Sequence, residues 1–131
     1  MAARRVLEQA RHDLVGVPRL VRPRLDGGAS FRETSRAYAR LVKAKRQVRP
    51  SHPAAPVLAS AVAHFERWRG LSGAVDEAKL FAAHAELRMR LCWLERDLSH
   101  VMGWRPLADE PPKLSEGEEL ALWYRTQGPA L

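Results

Sequence analysis

The stretch VDEAKLFAAHAELRMRLCWLERDLSHVMG, residues 75–103, decides the fold. Leu80, His84, Leu87, Leu91, Leu94, Leu98 and Val101 recur in it at alternating steps of four and three. That is the seam of a helix packing at a shallow angle against another. The spacing predicts one long helix from about Val75 to Met102, with Gly103 as its stop. Three heptads are short for a free-standing coiled coil, so the seam requires a partner. An antiparallel helix of the same chain is the default expectation, and a subunit contact the alternative.

Upstream, helix signals dominate. Residues 3–15 read as a first helix, disturbed by Gly16 and Pro18, with a short further piece from Pro18 to Leu25. Asp26-Gly27-Gly28 reads as a loop. Ser30 and Glu33 then have the capping-box spacing, which predicts a second helix from about Phe31 to Arg49, stopping before Pro50. Pro53 or Pro56 suits the first turn of a third helix with apolar positions Val57, Leu58, Val62, Phe65 and Trp68. Gly70 reads as its C-cap and Ser72-Gly73 as the next turn. The expectation is an all-α fold, a small bundle of about four helices over residues 1–103.

Downstream the character changes. Trp104-Arg105-Pro106 and Pro111-Pro112 mark an extended link. Ser115 and Glu118 repeat the capping-box spacing, which predicts a short helix over about Glu116 to Thr126. A helix that short must dock to be stable. Residues 104–131 therefore read as a C-terminal docking tail, with Trp104, Leu120, Trp123 and Tyr124 as its contact residues. Docking on a neighbouring subunit is expected somewhat more than docking on its own body.

The chain's chemistry is mostly a matter of charge. Residues 1–50 hold 13 Lys or Arg against four acids, and the remainder holds nine against 11. A basic first part joined to a near-neutral remainder implies a charged face for an anionic partner and a separate packing body. The second helix is divided in the same sense. Phe31, Thr34, Tyr38, Leu41, Val42 and Val48 fall on one side, and Arg32, Arg36, Arg40, Lys43 and Arg46 on the other. Those five cations are the candidate partner-binding face, for nucleic-acid phosphate, for acidic protein or for a phosphorylated cofactor.

No catalytic constellation emerges. The five histidines (His12, His52, His64, His84 and His100) show no metal-ligand spacing, and no HExxH or CxxC occurs. His84, inside the seam, reads as a hydrogen-bonded core histidine, and Cys92 as a small buried hydrophobe. Glu86 and Arg90 have the spacing of a helix-surface pair. One cysteine permits no internal disulfide, and no run approaches the ~18 apolar residues of a membrane span. The reading is of a non-enzyme with no metal and no cofactor. The Arg-rich N-terminus shares the composition of a mitochondrial targeting peptide, although it contains Glu8 and Asp13 and almost no Ser.

Residues 13–70 resemble the opening helices of the LYR-motif family. Phe31-Arg32 opens an Arg-rich second helix, Arg36, Arg40, Lys43 and Arg46 form its basic face, and His52-Pro53 stands at the link to a third. The family's tripeptide is absent: Leu14-Val15-Gly16 stands at its distance. The resemblance implies a mitochondrial accessory subunit or assembly factor of a respiratory or iron–sulfur complex, on the matrix side. It also implies acyl carrier protein as a partner whose acidic surface meets the basic helix. Gly28-Ala29-Ser30-Phe31-Arg32-Glu33 also looks like the start of a helix-turn-helix unit of resolvase-like proteins, but no recognition helix follows. A basic nucleic-acid-binding module, such as a ribosomal accessory protein or a DNA-binding regulator, is therefore the alternative function.

Overall fold

The computed structural model describes residues 2–18, 27–72, 77–107, 116 and 118–120. Among them are four helices, α1 (Ala2–Val15), α2 (Gly27–Gln47), α3 (Ala55–Ser72) and α4 (Glu77–Met102), and no strand. Residues 116 and 118–120 are helical too. The helices close a ring: α1 packs on α2 and α4, and α3 packs on α2 and α4. The seam of α4 thus finds its partners within the chain. His84, Leu87, Leu91 and Leu98 are buried, Leu94 is half-buried, and Val101 is 39% exposed. The side chain of Leu80 lies outside the described residues.

Each helix contributes buried residues to the core. Leu7, Ala10 and Leu14 come from α1, and Leu58, Ala61 and Phe65 from α3. On α2, Thr34, Ala37, Leu41, Ala44 and Val48 are buried at steps of three and four, with Tyr38 and Val42 half-buried at the edge. Phe31's side chain lies outside the described residues. A chain of rings crosses the core. Tyr38 on α2 tilts against Phe65 (5.8 Å), Phe65 meets Trp68 edge-on (6.3 Å), and Trp68 meets His84 on α4 (5.9 Å). Such pairs add about 0.5–1.5 kcal/mol beyond their buried area.

The helix boundaries correct several expectations. α2 starts at Gly27, so Ser30 lies inside the helix and is not its N-cap. The first turn leaves its amides unpaired in any case, and a glycine pair costs least there. The helix ends at Gln47, ahead of Arg49, because Pro50 restricts the residue before it. The link is ordered by His52, whose Nδ1 accepts the Ala54 N–H (3.0 Å) and whose carbonyl accepts the Ala55 N–H (2.9 Å). Pro56 falls in the first turn of α3 as expected. Gly70 is not a C-cap, since α3 continues to Ser72; nothing lies within 4 Å of where its side chain would be. The short piece expected between Pro18 and Leu25, Gly73 of the Ser72-Gly73 turn, and Val75 fall outside the described residues.

α4 ends as its glycine predicts. Gly103 takes φ 71°. The Trp104 N–H reaches the Ser99 carbonyl (2.7 Å) and the Gly103 N–H the His100 carbonyl (3.2 Å), the two bonds of a Schellman cap. The chain then folds back. Leu107 N–H donates to the buried carboxylate of Glu95 (2.9 Å), which also accepts the Ser99 hydroxyl. Arg11 on α1 donates to the Arg105 carbonyl (3.1 Å) and lies over the Trp104 ring (5.0 Å). Farther on, Glu118 pairs with Arg88 of α4 at 2.7 Å, the two side chains 2% and 11% exposed. Docking chiefly on another subunit therefore does not hold for residues 104–107 or for Glu118, which are fastened to their own body.

His84 is the core histidine its position implied. It is buried, and its Nε2 lies 2.6 Å from the Pro18 carbonyl, which only accepts, so Nε2 carries the proton. Burial pushes this imidazole down, with Arg88 adding to the effect against the Pro18 hydrogen bond and Glu118. Half-buried His64 is lowered by burial and by Arg90.

Two outcomes are expected. Below the ordinary histidine value of about 6.5, the unfolded chain takes up protons that the folded chain refuses, so stability falls as pH drops. Urea melts should lose up to about 1.4 kcal/mol per pH unit per such histidine, and His84→Gln should flatten the slope. A slope unchanged in that variant would remove His84 as its source. Truncation after Gly103 should lower the melting midpoint by about 5–15 °C, because Glu95 and Arg88 each lose a buried partner. An unchanged midpoint would mean that the tail merely lies on the surface.

Candidate partner-binding site

The basic face of α2 is built by the same spacing that buries its back. With Thr34, Ala37, Leu41 and Ala44 turned into the core, positions 32, 36, 40, 43 and 46 must turn outward. Arg32, Arg36, Lys43 and Arg46 are all exposed, as are Lys45 and Arg49 beside them. Among the described residues no carboxylate pairs with Arg36, Lys43 or Arg46.

Arg40 is different. Its Nη2 lies 2.7 Å and its Nε 2.9 Å from one oxygen of Asp13 on α1. The side chain of Asp13 is 4% exposed and that of Arg40 49%. The Asp13 hydrogen bond raises the Arg40 pKa and its charge adds to this, against burial, so the guanidinium stays charged. Gln9 is a weaker third member at 3.5 Å. Arg40 therefore clamps α1 to α2 and is only partly available to a partner. Within α2 itself Glu33 is the sole acid, so the counter-charge from Asp13 escapes a reading of that helix alone. The available signal is in α1, where Asp13, one of two acids on that helix, stands next to the buried Leu14.

The same pair closes one side of a groove of about 300 Å³ between α1 and α2, bordered by Arg5 and Lys43. Arg5 escapes the sequence as well, because a charge count does not show which helix faces lie together. A second open groove, about 470 Å³ between α3 and α4, is lined by His64, Met89, Trp93 and Asp97 among others. Trp93 is 51% exposed there, with Arg96 over its ring at 5.4 Å.

The remaining candidates separate. Trp104 is half-buried against the core cluster, which leaves it structural, while Leu120 is exposed. Trp123 and Tyr124 lie outside the described residues. Cys92 is buried, and burial first, then Glu95, pushes its thiol up, away from the reactive thiolate. Glu86 and Arg90 pair at 3.5 Å on the helix surface. No described helix is long and apolar enough to cross a membrane. Comparison with known families, with curated proteins and with solved structures gives no match.

The clamp makes an asymmetric outcome testable. Arg40→Met leaves the Asp13 carboxylate buried with only a long amide contact, and should cost about 2–4 kcal/mol. Asp13→Asn leaves a half-exposed cation that water can solvate, and should cost about 1 kcal/mol. Chemical melts of the two variants check the order, and equal losses would mean that the pair is not a clamp.

Proposed function

We propose that this chain is a non-catalytic structural or assembly subunit of a larger complex, and that it offers the outer face of α2 to an acidic protein surface. One observation carries the reading. Arg36, Lys43 and Arg46 stand exposed on a helix whose back is buried, while the buried acid of the adjoining helix α1, Asp13, is committed to Arg40. Uncompensated cations on one rigid face raise the encounter rate with an anionic partner and fix its orientation. The resemblance to LYR-motif proteins makes acyl carrier protein the first partner to try, and a respiratory or iron–sulfur complex of the mitochondrial matrix the first assembly. The prevalence of Arg supports a second reading, nucleic acid, because a guanidinium fork matches phosphate geometry.

Arg36→Glu combined with Arg46→Glu tests the face without disturbing the clamp. Helical circular dichroism and the melting midpoint should hold, since both residues are exposed. Titrated separately with acyl carrier protein and with a single-stranded RNA, the native chain should bind the protein. The variant should bind it at least about tenfold more weakly, and the gap should narrow as salt screens the charges. Binding that ignores both the reversal and the salt would return this face to ordinary solvated surface.

A further inference from the structure

The groove between α1 and α2 differs from the exposed ridge beside it. Its floor is apolar and low, formed by Val6, Ala10 and Ala44, and its rims carry Arg5 and Lys43. Gln9 and Gln47 form exposed shoulders. The only acid lining it, Asp13, is already paired with Arg40, so the groove keeps a net positive charge. α4 covers the other flank of α1 and α3 the other flank of α2, so this seam faces away from the body. The lining runs from Arg5 to Asp13 on one helix and from Arg40 to Gln47 on the other, about two turns of each.

We infer that this groove seats an acidic amphipathic helix of a partner protein. Small floor residues let a third helix approach closely and set apolar side chains onto Val6, Ala10 and Ala44. Carboxylates flanking those anchors then meet Arg5 and Lys43, where the charge is complementary. Nucleic acid fits less well: a phosphate backbone gains nothing from an apolar floor and would run along the ridge of Arg32, Arg36 and Arg46. The inference rests on the proposed function and adds to it a seat, an orientation and a requirement for apolar anchors.

Fluorescence anisotropy with a defined probe tests it. The probe is a labelled helical peptide of about 18 residues, with Leu at positions i, i+3, i+4 and i+7 flanked by Glu. The control peptide has each Leu replaced by Ser. A single-stranded RNA is the third ligand. The protein variants are Gln9→Trp and Gln47→Trp, which plug the groove from exposed shoulders, and Arg36→Glu with Arg46→Glu on the ridge. Circular dichroism checks the fold of each. The Leu peptide should bind at least about tenfold more tightly than the Ser peptide, and either Trp variant that keeps its fold should abolish that advantage. Equal binding of the two peptides, or binding indifferent to both plugs, would overturn the groove. If the ridge reversal still weakened that binding, the proposed function would stand without the groove. Binding of RNA with no binding of either peptide would overturn both.

Discussion

Closing the ring of helices requires α4 to satisfy two neighbours at once, and a single apolar stripe cannot do that. The heptad residues Leu87, Leu91 and Leu98 supply one line of contact. Ala82, Ala83, Ala85 and Cys92 are buried as well, so the helix is covered over more than one face. Small side chains are what make the double packing feasible, since they let α1 and α3 both come close. Deletion of a buried leucine from such a helix removes contacts to both neighbours, which places α4 substitutions toward the upper end of the usual ~2–5 kcal/mol. The aromatic chain from Tyr38 to His84 carries the same dependence across to α2.

Polar groups on α4 hold segments that lie outside the four main helices. His84 fixes the Pro18 carbonyl beyond α1, Glu95 fixes the Leu107 amide beyond α4, and Arg88 fixes Glu118 still farther along. Each group costs desolvation, and each hydrogen bond or ion pair returns only part of that cost. The return is positional. An apolar residue at 84, 88 or 95 would pack as well but would leave those segments free to settle elsewhere. Gly16 helps to direct the chain in a smaller way. A Cβ there would sit 2.9 Å from the His12 carbonyl oxygen, so only glycine lets the chain leave α1 in this direction.

These relations divide what the sequence could reveal from what it could not. Helix identity and the buried sides of α2, α3 and α4 are periodic, local properties, and 3.6-residue spacing records them directly. The start of α2 departs from the expected one because a capping-box match at Ser30 and Glu33 is a local signal as well, and it loses to a helix that propagates back through Gly27. The pairs Asp13–Arg40 and Arg88–Glu118 join residues far apart in the chain, and no spacing rule links them. Glu95 is partly legible: a carboxylate four residues after Leu91 and three before Leu98 must share their side of the helix. The groove is not legible at all, since it exists only once α1 and α2 lie together.

The charge distribution departs from local helix preferences in the same part of the chain that carries the excess of cations. None of the first turns of α1, α2 and α3 carries an acid, although an acid there would favour the helix dipole. α1 has Arg4 and Arg5 near its start instead, with Glu8 reaching back to Arg4 at 3.3 Å. α2 sets a row of exposed cations along one face. Each departure forgoes a few tenths of a kcal/mol that neutral or acidic residues would have supplied. Local rules set aside on α1 and α2, while the core obeys them, leave a cationic surface that the proposed acidic partner would complement. The body packed around α4 holds that surface in place, and Arg40, paired with the buried Asp13, ties the two helices that carry it.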